Sequence, residues 1–175
     1  MRWAHILESH DRHTEFFLAA EVHRWLDGLF LDHQLALLSL DLPAASACLK
    51  RYESNLKLHI EDEEGALIPL YDARTENVPG GAVELFTGEH TKLTGFIAEF
   101  HGSLATLNGK PERELKLDII KLFDREAICK GLVEHHHARE QNILFPWLDK
   151  VTSENERKTL LAGCASLRAW RQALQ

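Results

Sequence analysis

The sequence predicts an all-α protein: four bundle helices in two hairpins, with an N-terminal extension and an extra C-terminal helix. Three observations carry this. Apolar residues recur every three or four positions through most of the chain, no segment alternates strictly as a strand would, and short Gly- and Pro-marked breaks separate the periodic stretches. At 175 residues the chain fits one domain able to bury a continuous core, with the bundle over about residues 25–150 and the last helix over about 153–172.

The first helix is expected within Thr14 to Leu40, with an apolar stripe at Leu26, Phe30, His33, Leu37 and Leu40, and Asp41-Leu42-Pro43 ends it. Asp27-Gly28 is a candidate break, which would make residues 1–24 a separate short helix. Pro43 suits the first turn of a second helix, because an N–H there would have no helical partner. That helix runs to about Tyr71, with Tyr52, Leu56, His59, Glu63, Leu67 and Leu70 on one face. The loop ENVPGG, residues 76–81, precedes a third helix carrying Phe86, His90, Leu93, Ile97 and Leu104, closed by Asn108-Gly109. A fourth pattern follows Pro111 to about Asp149, aligning Leu132, His136, Glu140, Ile143 and Trp147. Ser153 and Glu156 then form a capping box for a final amphipathic helix ending near Gln175.

The charge of -7 argues against nucleic acid or an anionic membrane as partner, since both require a basic face. Apolar runs are broken by Asp32, His33 and Asp41, well short of the roughly 20 residues that cross a bilayer. The segment MRWAHILESHDRH lacks the apolar centre of a signal peptide, so a cytoplasmic location is expected. Cys48, Cys129 and Cys164 are odd in number and widely spaced, which fits free, inert thiols in a reducing compartment.

The anomaly in the composition is eleven histidines. An internal repeat organises part of them. HIEDEEGALIPLYD (59–72) and HHAREQNILFPWLD (136–149) match at His, Glu, Leu, Pro and Asp, at a constant offset of 77 residues. Upstream of each lies a second similar pair, LFLDH ending at His33 and LFTGEH ending at His90. Each hairpin therefore supplies one histidine from its first helix and an HxxxE pair from its second. Residues four apart on a helix lie about 40° apart and one turn along, so His and Glu point at one spot. Packing the hairpins together gathers His33, His59, Glu63, His90, His136 and Glu140 inside, where unpaired charge is strongly disfavoured. A metal cluster resolves that cost. If both carboxylates bridge, each of two ions receives two imidazole nitrogens and two carboxylate oxygens and keeps an open position. Mixed imidazole and carboxylate donors suit iron, and manganese or zinc fit the same set.

These motifs closely resemble those of the hemerythrin-like, or HHE cation-binding, family: HxxxEE at His59, Glu63 and Glu64, GEH at 88–90, and HHxRE with ILFP over 136–146. The resemblance covers about residues 25–150. It implies an up-down-up-down bundle with a non-haem pair of iron ions, oxo- or hydroxo-bridged, bound by the six residues above, with Glu63 and Glu140 as bridges. Thr94 stands where oxygen carriers place a further histidine four residues after His90, and Glu140, with Gln141 after it, replaces their HxxxxD pattern. The resemblance is therefore to the bacterial members rather than to dedicated oxygen carriers.

Other residues are expected in plainer roles. Register selects His136 from the run His135 to His137, leaving its neighbours on the surface or behind a ligand. His5, His10, His13, His23 and His101 are read as surface or boundary residues, and Glu64 as a solvated one. A ferritin-like centre would need two ExxH motifs, and only Glu134-x-x-His137 matches. The expected function is binding or sensing of dioxygen or nitric oxide, or iron handling. Redox turnover of peroxide, oxygen or nitric oxide is the enzymatic alternative, though no general acid or base is recognisable, and a structural metal site in an interaction module is the third reading.

Overall fold

A computed structural model describes residues 16–76 and 78–175, and among them every regular element is helical. His5, His10 and His13, and the extension that holds them, lie outside the described residues. The elements are α1 (Phe17–Leu38), α2 (Leu42–Asp62), α3 (Ile68–Arg74), α4 (Val83–Ala105), α5 (Glu112–Arg139), α6 (Phe145–Val151), α7 (Glu154–Gly163) and α8 (Ala165–Ala173). Two π-turns, Glu63–Leu67 and Glu140–Leu144, join α2 to α3 and α5 to α6 without interruption.

The hairpin turns follow the expected chemistry. Asp41 accepts a hydrogen bond from the Ala44 N–H (2.9 Å), and Pro43 sits in the first turn of α2. Leu40 makes the turn in the left-handed region, φ 57°, an uncommon conformation for a residue with a side chain. Asp27-Gly28 does not break the chain: α1 passes straight through it, so residues 17–24 belong to the first helix. Helix α1 packs on α2 and α5, α4 packs on the same two helices, and α3 packs on α6. The core between them is apolar, with Phe30 meeting Tyr52 at 5.1 Å and Phe100 at 6.1 Å between ring centroids.

The π-turns shift the buried register. Ile68 N–H donates to Glu63 C=O and Phe145 N–H to Glu140 C=O, each spanning one residue more than an α-turn. Pro69 and Pro146 follow immediately and have no N–H to give, so the turn before each is where the ladder widens. Beyond the widened turn the core receives Ile68 and Tyr71 in one half and Phe145 and Leu148 in the other. A uniform helical period points instead to Leu70, Ile143 and Trp147, which are only half-buried.

The expected single C-terminal helix is two. The capping box at Ser153 forms as anticipated, but the backbone turns extended at Cys164 and restarts as α8. The Asp62 carboxylate is the reason: it accepts from Ala165 N–H and Ser166 N–H (both 2.8 Å) and from the Ser166 hydroxyl (2.6 Å), capping α8 from another helix. Helix α8 thereby lies against α1 and α2. No helix of the described residues is long and apolar enough to cross a membrane.

The loop before α4 is pinned by Tyr71, whose hydroxyl donates to Gly81 C=O (2.9 Å). A Cβ at Gly81 would overlap that hydroxyl and lie 2.9 Å from Ile143 Cγ2. Gly81→Ala should therefore lower stability by roughly 1–3 kcal/mol, the usual cost of overpacking. Denaturant unfolding measures this, and an unchanged midpoint would show that the loop yields freely.

Candidate metal centre

The 77-residue repeat is structural as well as sequential. Each π-turn begins at a glutamate one turn after a histidine: His59 and Glu63 in the first half, His136 and Glu140 in the second. Both helices then end at a threonine whose hydroxyl donates to a carbonyl four residues back, Thr75 to Tyr71 and Thr152 to Leu148. Arg74 also donates to Val151 C=O (2.9 Å), joining the two ends. The widened turns therefore face one another across the interior with their ligands in matching positions.

Two groups of side chains result, His23, His59, Glu63 and Glu140, and Glu63, His90, His136 and Glu140, all buried, and either could hold a metal ion. Glu63 and Glu140 belong to both. Glu63 Oε1 is 3.6 Å from His59 Nε2 and its Oε2 is 3.1 Å from His90 Nε2. Glu140 Oε2 is 3.0 Å from His23 Nε2 and its Oε1 is 2.8 Å from His136 Nε2. Each carboxylate thus turns one oxygen to each group. The imidazoles face in pairs, with 3.2 Å between the Nε2 atoms of His23 and His59 and the same between those of His90 and His136. Two nitrogens bound about 2.1 Å from one ion at right angles would stand about 3 Å apart.

The donors fit metal ions better than they fit one another. All four oxygens of Glu63 and Glu140 are buried and, among the described residues, lack a properly aligned hydrogen bond despite the short distances. Orphaned buried carboxylates are costly, whereas lone pairs converging on common points are what cations require.

Without an ion the electrostatics are strained in opposite senses. Burial, with Glu140 beside it, pushes the Glu63 carboxyl up to about 7. Burial works the same way on Glu140, but His136 and His23 outweigh it and hold that carboxyl well below its ordinary range. Burial pulls His136 down, yet Glu140 and Glu63 prevail and raise it to about 9. His59, fully desolvated and near His23, is lowered well below its ordinary value.

Of the six residues expected from sequence, five are brought together: His59, Glu63, His90, His136 and Glu140. His33 is not. It lies ten residues along α1 from His23, about 15 Å at helical rise. Its Nδ1 donates to Ala45 C=O (2.8 Å), and its Nε2 meets Glu126 Oε1 (3.0 Å). Gln34 donates to the other Glu126 oxygen (2.8 Å). This is a buried polar pin between α1, α2 and α5, and His23 stands where His33 was expected.

The sequence held a signal for this. In an antiparallel hairpin, facing residues lie equally far from the turn. The position midway between His23 and His59 is Asp41, the turn residue; midway between His33 and His59 is Ser46, inside α2. Local similarity of LFLDH to LFTGEH pointed to the wrong turn of the helix.

A ring of supporting groups was also missed. Glu64, though 42% exposed, accepts a hydrogen bond from His90 Nδ1 at 2.8 Å. Glu89, buried, accepts one from His136 Nδ1 at 3.0 Å and is gripped by Arg139 (3.0 Å). His137 is half-buried and stacks on His23 with centroids 3.8 Å apart, while His135 is exposed and accepts from Arg139. His101 pairs with Glu53 (2.9 Å), away from the centre.

Family models, curated proteins and solved structures give no match to this chain.

Two outcomes follow. His33→Ala should cost roughly 1–3 kcal/mol, the loss expected when buried acceptors are left without their partner, and leave metal content unchanged. His23→Ala should lower metal content; the reverse pattern would restore His33 as the ligand. In the metal-free chain, His136 sits above its ordinary 6.5, so its stabilising share is complete below that pH and is lost as pH rises through about 9. The loss should reach at most about 3 kcal/mol, and thermal melts between those two values measure it. A flat profile would contradict the raised imidazole.

Proposed function

We propose that the chain is a non-haem di-iron protein of the hemerythrin-like kind, binding dioxygen or nitric oxide for sensing or for handling iron. One observation carries the reading: Glu63 and Glu140 each offer one oxygen to the His23–His59 pair and one to the His90–His136 pair. Two bridging carboxylates with two imidazoles per position is a dinuclear donor set. The contacts of α1 and α4 with both α2 and α5 close a ring of four, which supports the up-down-up-down bundle.

The donor chemistry favours iron over thiophilic metals. Cys164 lies near enough to Glu63 to feel its charge, but burial pushes the thiol up to about 12, and it donates to Leu160 C=O (3.4 Å). Among the described residues neither group of candidate donors includes a cysteine, which leaves the centre to nitrogen and oxygen. Burial likewise pushes the Cys129 thiol up to about 12.

Reduced iron, when bound, supplies reversible coordination of a diatomic ligand at a position the protein leaves open. The chain's own part is to hold the donors and exclude water. Four imidazoles present Nε2 inward, Glu64 and Glu89 keep protons on the outer nitrogens of His90 and His136, and the packed core keeps the site dry.

Protein loaded anaerobically with ferrous iron should contain two ions per chain and change its visible spectrum reversibly on addition of oxygen or nitric oxide. Steady consumption of the added ligand would make the protein an enzyme instead. Tight zinc with no response to either gas would make the centre structural.

A further inference from the structure

We infer that the two halves of the centre are unequal metal positions: the His90–His136 position fills first and holds its ion, and the His23–His59 position fills second and releases first. This rests on the dinuclear reading above and deepens it.

The asymmetry lies behind the ligands. A histidine that binds through Nε2 must carry its proton on Nδ1, and an acceptor there fixes that tautomer, aims the ring and makes the ligating nitrogen more basic. His90 has Glu64 at 2.8 Å in this role, and His136 has Glu89 at 3.0 Å. Glu89 is itself immobilised, because Arg139 grips its carboxylate while donating from Nη1 to Gly80 C=O (2.7 Å), tying ligand, acceptor and loop together. Both imidazoles of this position are therefore set before an ion arrives.

The other position is built differently. His23 is buried, but its Nδ1 has no hydrogen-bond partner among the described residues. Ligation through Nε2 leaves that N–H desolvated and without an acceptor, a standing cost that neither His90 nor His136 carries. Stacking on His137 fixes the plane of the His23 ring but cannot fix its proton. The carboxylate is also less closely set: Glu63 stands 3.6 Å from His59 against 3.1 Å from His90. Glu64, Glu89 and Arg139 are thus positioning residues for one ion alone, and the chain has a one-metal form.

The test is a titration of the metal-free full chain with Co2+ against a competing chelator, with circular dichroism checking that each variant is folded. Wild type should bind two ions in steps roughly tenfold or more apart, since groups behind a ligand typically change affinity by about 10–100-fold. His23→Ala should bind one ion with the first-step affinity intact, and His90→Ala should bind its remaining ion more weakly. Glu89→Gln should weaken the first step and bring the two together. Glu64→Gln, at an exposed position, should do the same to a smaller degree and shift the paramagnetic Nδ1–H resonance of His90 but not that of His136. Two equal sites in wild type, or equal single-ion affinities in His23→Ala and His90→Ala, would overturn the inference while leaving a dinuclear centre. No binding by wild type would overturn the dinuclear reading itself.

Discussion

Two glutamates buried face to face set the terms for the rest of the structure. Glu63 and Glu140 are 1% and 0% exposed, and each stands on a helix whose backbone widens at that residue. Burying one carboxylate without a partner is expensive, and burying two together adds mutual repulsion. The imidazoles around them offer partial relief through the raised His136 beside Glu140, and metal ions held in common would offer fuller relief. The opposed protonation tendencies of Glu63, raised, and Glu140, lowered, express that conflict in the metal-free chain.

The fold gives those residues their rigidity through contacts made by their neighbours. Asp62, next to Glu63, caps α8 and so ties the first π-turn to the C-terminal region. Arg139, next to Glu140, clamps Glu89 and the loop ahead of α4. The residue before each of these glutamates thus anchors the widened turn to another part of the chain.

The buried His33–Glu126 pair shows how similar residues serve different ends. Both of its imidazole nitrogens are engaged by oxygens of the protein, and Gln34 satisfies the second carboxylate oxygen, so the group is closed and asks for no ion. At the centre, by contrast, the nitrogens face nitrogens and the carboxylates lack aligned donors. Satisfaction by protein partners separates a structural polar cluster from a ligand set, even where both hold buried His and Glu.

The sequence by itself determined the helices, the turn at Asp41, the capping box at Ser153, and the pairing of His59 with Glu63 and of His136 with Glu140. Those features depend on residues within a turn or two of each other, where spacing is geometry, and the repeat made them visible twice. Tertiary structure alone decided the rest. That His23 and not His33 meets His59 depends on how far each lies from the hairpin turn. That Leu148 and not Trp147 is buried depends on π-turns which a uniform helical period does not contain. That the last helix breaks at Cys164 depends on Asp62, about a hundred residues earlier in the chain. Contacts across helices carry no local signature, so they became legible only once the helices were packed.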